Sequence, residues 1–160
     1  MIISKLIGGA LLLVSALMIY LRFQHQNKKK TSQIEGFIKL ISYIKNQIEC
    51  YMIPIDRILF LCDKEVLYEC GYGESVPPQS LKTLINNINP YMNNEASSII
   101  NRFANEFGTS YSNEQIRSCE RCINELKKIK EVMNDKNARD KRVQLAICVC
   151  VSFSIIIILM

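Results

Sequence analysis

Two apolar runs bracket the chain, and between them the apolar positions recur at helical spacing. From Ile2 to Leu21 only Ser4, Lys5 and Ser15 are polar, and from Val143 to Met160 only Gln144, Ser152 and Ser154. As helices these runs would reach roughly 30 Å and 27 Å, enough for the hydrocarbon core of a bilayer. A serine hydroxyl can bond a carbonyl one turn back, so the serines do not forbid insertion. Val14-Ser15-Ala16 resembles a signal-peptide cleavage site, but a cut there would split the run, and Arg22-Phe23-Gln24 offers no site after it. Residues 1–21 and 143–160 are therefore expected to be transmembrane helices, with 22–31 a basic juxtamembrane linker and 32–142 a helical domain.

Within that domain, Ile34, Phe37, Ile38, Ile41, Ile44 and Ile48 form one stripe, and Ser32 with Glu35 predicts a capping box at its start. Pro54 opens a second helix carrying Ile55, Ile58, Leu59, Cys62, Val66 and Leu67, which Gly71 and Gly73 end. A turn follows at Ser75–Pro78. A short helix is predicted from Ser80 to Ile88, stopping at Asn89-Pro90, and another from about Asn94 to Phe107, closing at Gly108. Ser112 and Gln115 predict a second capping box, ahead of a stripe of Ile116, Cys119, Ile123, Leu126, Ile129 and Met133. No proline or glycine occurs from Ser112 to Met160, which predicts one helix running from the domain into the last apolar run, bent or frayed around 134–140. No strand alternation persists, so the expected class is all-α.

Composition changes this picture only when read by segment. Mean hydropathy is +0.08 and 49% of residues are hydrophobic, both ordinary values. Residues 31–135 hold 11 Lys/Arg against 14 Asp/Glu, while the remainder hold nine against one, so the net +5 resides in the flanks. Arg22, Lys28, Lys29 and Lys30 follow the first run, and Lys136, Arg139, Lys141 and Arg142 precede the second. Basic flanks on the domain side of both spans predict a cytoplasmic domain with both termini outside. Lys28-Lys29-Lys30 can attract anionic lipid or act simply as a topology determinant, and basicity confined to the flanks argues against nucleic acid as a partner. The seven cysteines have no disulfide framework; two lie in the last apolar run and five in a domain expected to face a reducing cytosol, and all read as small buried residues.

Candidate chemistry is sparse. Cys119-x-x-Cys122 has metal-like spacing, but a zinc site needs four ligands, and the sole histidine is the juxtamembrane His25. Core packing is the better reading of the pair. There is no glycine-rich phosphate loop, and carboxylates such as Glu125 alternate with bases such as Lys128 and Lys130, as on a solvated face. No catalytic, cofactor or metal residues are expected, and the chain does not read as an enzyme.

The first run with its basic flank, Ile44-Lys-Asn-Gln-Ile-Glu-Cys-Tyr51 followed by Pro54, Phe103-Ala-Asn-Glu-Phe-Gly108, Gln115 and the long charged last helix together resemble the stage III sporulation protein AB family. The chain departs from the family pattern at Tyr111-Ser112, where a glycine is common, and lacks the usual glycine in the last span. That family is similar to the cytoplasmic domains of the platform protein of type II secretion and type IV pilus systems. The resemblance implies an antiparallel bundle of six helices and a non-catalytic place in the channel complex between mother cell and forespore. It implies a location in the mother-cell membrane around the forespore. Its implied partners are the AA-type ATPase and other channel-complex membrane proteins. A general bitopic membrane adaptor outside any secretion machine is the alternative.

Overall fold

The computed structural model describes the backbone of every residue except 1, 52, 54, 89, 90, 110 and 160. Side chains are in addition not described at 2–13, 16, 19, 55, 56, 145, 148, 149, 152, 153 and 155–159. The described elements are all helical: α1 (Ile2–Tyr51), α2 (Ile55–Ile58), α3 (Lys64–Glu69), α4 (Leu81–Asn86), α5 (Asn94–Glu106) and α6 (Ser112–Leu159). Among the described residues there is no strand, only an isolated antiparallel bridge between Tyr72 and Ile88. The chain divides into two units, residues 29–132 and residues 1–28 with 133–160.

Residues 29–132 are a bundle around one apolar core. α1 buries Ile34, Phe37, Leu40, Ile41, Ile44 and Ile48, while α6 buries Cys119, Cys122, Ile123, Leu126 and Ile129. The shorter helices fill the space with Leu67, Leu81, Leu84, Ala96, Ile100 and Phe103. Two ion pairs fix the direction of the long helices here, Glu35–Lys130 at 3.0 Å and Lys45–Glu120 at 2.6 Å. The two pairs run in opposite order along α1 and α6, so the helices are antiparallel in this unit. The chain therefore enters and leaves the bundle at the same end. The buried stripe of α6 stops at Ile129, and no residue from 133 to 142 is buried, which is why this unit ends short of residue 142.

Local chemistry sets most helix ends. Ser80 Oγ accepts from the Thr83 N–H at 3.1 Å, and Asn93 Oδ1 accepts from the Ala96 N–H at 3.1 Å, so α4 and α5 start as the sequence predicts. Gly71 and Gly108 adopt φ of 93° and 89°, the left-handed conformation that ends a helix without a Cβ penalty. The segment expected as one helix after Pro54 is two, α2 and α3, because Asp63 begins a new one. Its carboxylate accepts from the Glu65 N–H at 3.4 Å, while Cys62 before it and Leu67 within the helix are both buried, as in a hydrophobic staple. This split brings the five segments of the sequence to six. The expected start at Pro54 and stop at Asn89-Pro90 lie outside the described residues.

Two capping boxes are not formed. α1 is already helical upstream of Ser32, so the N–H groups there need no cap, and Glu35 pairs with Lys130 instead. Residues 22–31, the basic segment ahead of the domain, are helical as part of α1. Ser112 is the first helical residue of α6, whose Glu114 and Gln115 N–H groups donate to the Tyr111 carbonyl at 3.0 and 3.1 Å, and Gln115 is buried. α6 continues through 134–140 without a break. Among the described residues no helix is long and apolar enough to cross a membrane. Most side chains of the two expected spans lie outside the described residues.

Candidate functional site

The basic flank residues fall on both units. Arg22, Lys28, Arg139, Lys141 and Arg142 belong to the unit of the chain ends, and Lys29 and Lys30 to the bundle. All are exposed except Lys30, which is half-buried. His25 is exposed on α1. The lysines that do form ion pairs sit elsewhere, joining helices. Lys39 contacts both carboxylate oxygens of Glu69 at 2.7 and 2.8 Å, and Arg102 of α5 meets Glu125 of α6. Hydrogen bonding to Glu69 and Glu120 makes Lys39 and Lys45 hold their protons more tightly than free lysines. These contacts join helices of the bundle, and none of the flank residues takes part in them.

α1 and α3 approach closely enough to require glycine. A Cβ at Gly36 would lie 2.6 Å from the Glu69 carbonyl carbon and 2.8 Å from the Cys70 nitrogen. One turn earlier, Gln33 is buried and joins three parts of the chain. Its Nε2 donates to the Cys70 carbonyl at 2.8 Å, and its Oε1 accepts from the Tyr91 N–H at 2.8 Å. Beside it opens a cleft of about 420 Å³ lined by Lys29, Ser32, Tyr68, Tyr72, Gly73 and Tyr91. The Lys29 ammonium stands 5.3 Å above the centre of the Tyr91 ring, within cation–π range. Sequence reasoning missed Gln33 and the cleft; the one signal was a glutamine and a glycine on the apolar side of the α1 stripe.

A second cleft, of about 350 Å³, lies at the turn from α5 to α6 between Glu106, Thr109, Glu114, Arg117 and Arg121. Acids and guanidiniums alternate around it. Cys119 and Cys122 are buried in the core, as their spacing predicts, and burial raises both thiols to about 12. Burial also raises Cys62, to about 11, and Cys70 further. Such thiols stay protonated at neutral pH and are poor nucleophiles. Cys50 and Cys150 are exposed, against the expectation that all seven cysteines are buried, and the side chain of Cys148 lies outside the described residues.

An apolar core, charged groups that join helices, and two long antiparallel helices that carry the chain into and out of one end of the bundle define an all-helical scaffold. The chain belongs to the stage III sporulation protein AB family, whose sequence model matches residues 5–160. It is thereby a sporulation protein. No curated protein and no solved structure matches it.

Proposed function

We propose that the chain is a non-catalytic membrane platform of the mother cell-to-forespore channel complex, coupling the cytoplasmic AA-type ATPase to the membrane-embedded parts. The observation that carries this reading is α6, one helix from Ser112 in the bundle to Leu159 in the last apolar run. Entry and exit at one end of the bundle suit a domain tethered twice to one membrane. In the other unit, Val14, Leu17, Met18, Leu21, Val143 and Ile147 are each more than half exposed, a surface that water disfavours and lipid covers. Ser154 Oγ donates to the Cys150 carbonyl at 2.9 Å, which satisfies this hydroxyl inside its own helix as insertion requires. The basic flanks Arg22, Lys28, Lys29, Lys30, Arg139, Lys141 and Arg142 then hold the bundle on the cytoplasmic side, at the mother-cell membrane around the forespore.

In this reading a displacement of the bundle by the ATPase passes along α6 into the bilayer. A Gly-Pro pair inserted after Lys136 breaks the helix outside the bundle core. It should block sporulation while leaving the bundle folded, and normal sporulation by that variant would refute transmission along α6. Affinity capture of the full chain from sporulating cells should recover the AA-type ATPase with other channel proteins. Recovery of a signalling kinase or receptor in their place would favour the adaptor reading.

A further inference from the structure

The cleft beside Gln33 combines features that nothing in the coupling role uses. Its walls are aromatic, with Tyr68 75% and Tyr91 45% exposed, while Ser32 and Gly73 leave room between them. A Cβ at Gly73 would meet nothing within 4 Å. The Tyr72 hydroxyl is turned away to Glu74 at 3.0 Å and the Val76 carbonyl at 2.9 Å, so that residue offers its ring as a floor. The Glu69 carboxylate at the rim is engaged on both oxygens by Lys39, which offsets its repulsion of an anion. Lys29 makes no ion pair among the described residues, and the Tyr91 ring holds its ammonium over the opening.

We propose that this cleft seats the phosphate headgroup of an anionic phospholipid, the Lys29 ammonium taking the phosphate and the Tyr68 and Tyr91 rings packing against the headgroup carbons. The proposal rests on the membrane reading above and names a lipid partner for it. Lys29 follows the end of the first apolar run by only eight residues and belongs to the same helix, α1. Tyrosine and lysine are the pair of residues that suit the interfacial layer of a bilayer, each with an apolar body and a polar tip. The volume, about 420 Å³, fits one small ligand. An acidic peptide would need a row of free backbone groups or several cations, and the cleft presents neither a strand edge nor a second lining lysine.

The chain contains no tryptophan, so Tyr68→Trp places a single indole at the rim without removing an aromatic face. Full-length Tyr68→Trp protein in nanodiscs of phosphatidylcholine, compared with discs of rising phosphatidylglycerol content, should show a saturable shift in emission. Adding Lys29→Gln should weaken that response roughly tenfold or more, the loss of a charge-assisted contact. Lys28→Gln should weaken it only about fivefold, as for any basic residue near an anionic surface. Equal losses for the two variants overturn the proposal in favour of diffuse attraction. So does a response to inorganic phosphate or to a glutamate-rich peptide that phosphatidylglycerol fails to reproduce. Disc incorporation is measured separately. Protein that enters the discs with an unresponsive indole overturns the cleft alone, whereas protein that never enters them overturns the membrane reading as well.

Discussion

Replacing Gly36 with alanine sets helix propensity against packing, and the structure decides the sign. Alanine in the middle of a long helix is favoured over glycine by about 1 kcal/mol. At Gly36, however, the new methyl would stand 2.6 Å from the carbonyl carbon and 2.7 Å from the carbonyl oxygen of Glu69, and 2.8 Å from the Cys70 nitrogen. All three are backbone atoms, so no side chain can rotate aside. Carbon atoms pack at about 3.5 Å or more, so α3 would have to withdraw by roughly 1 Å. The flexible Lys39–Glu69 pair can follow that movement. The 2.8 Å bond from buried Gln33 to the Cys70 carbonyl cannot, because both ends are held. Overpacking costs ~1–3 kcal/mol and the stretched hydrogen bond ~1 kcal/mol, against the ~1 kcal/mol gained in propensity. The net loss is about 1–3 kcal/mol, a fall in Tm on the order of 5–20 °C for a unit of this size. Circular dichroism melting of the purified full chain checks it. Gly73→Ala serves as the control, since open space surrounds that position. A Tm for Gly36→Ala equal to or above that of the parent protein would refute the reasoning.

Three further outcomes follow from the same contacts. Gln33→Leu keeps the volume but strips the Cys70 carbonyl and the Tyr91 N–H of their partner, and should cost about 2–4 kcal/mol in chemical denaturation. Stability should fall as pH rises above the ordinary thiol value of 9.0, because the unfolded chain then loses thiol protons that the folded chain keeps to about 11 at Cys62 and about 12 at Cys119 and Cys122. That contribution is complete below pH 9.0 and shrinks by roughly 1.4 kcal/mol per thiol per pH unit above it, so denaturation midpoints flat across pH 9–11 would contradict the buried thiols. A membrane-impermeant maleimide at pH 8 should label Cys50 in native protein in bilayers and leave Cys62, Cys70, Cys119 and Cys122 unlabelled until denaturant is added. Cys150, exposed on α6, should stay silent in the bilayer and react once lipid is stripped away.

Much of the bundle was legible from its apolar spacing, because burial of a helix face imposes a period that sequence records directly. Five of the six stripe positions on α1 are buried, and the sixth, Ile38, is half-buried. Leu40 escaped notice because the core wraps further round α1 than one stripe. The starts of α4 and α5 were readable within a residue, since the caps that set them are made by neighbours in sequence. Ser32-x-x-Glu35 misled because a capping box matters only where a helix begins, and α1 begins some thirty residues earlier. The cleft could not be read at all. Gln33 meets partners 37 and 58 residues away, and only the folded chain brings Lys29, Tyr68 and Tyr91 to one place.

The proposed coupling role requires the bundle to hold α6 firmly, and two kinds of contact are available for this. The ion pairs Glu35–Lys130 and Lys45–Glu120 set the antiparallel direction, yet Glu35 and Glu120 are half exposed, where water and salt weaken the attraction. Leu126 is fully buried between them in sequence, with Cys122 and Ile129 buried on either side. Leu126→Ala leaves a cavity as well as losing transfer energy, about 2–5 kcal/mol together. Removing both ion pairs in Glu35→Gln/Glu120→Gln should therefore lower Tm far less than Leu126→Ala does, and 1 M salt should leave the melting curve of the parent protein nearly unmoved. Should the double charge variant melt as early as Leu126→Ala, the pairs rather than the core would be holding α6, and salt would then also loosen the bundle's grip on it.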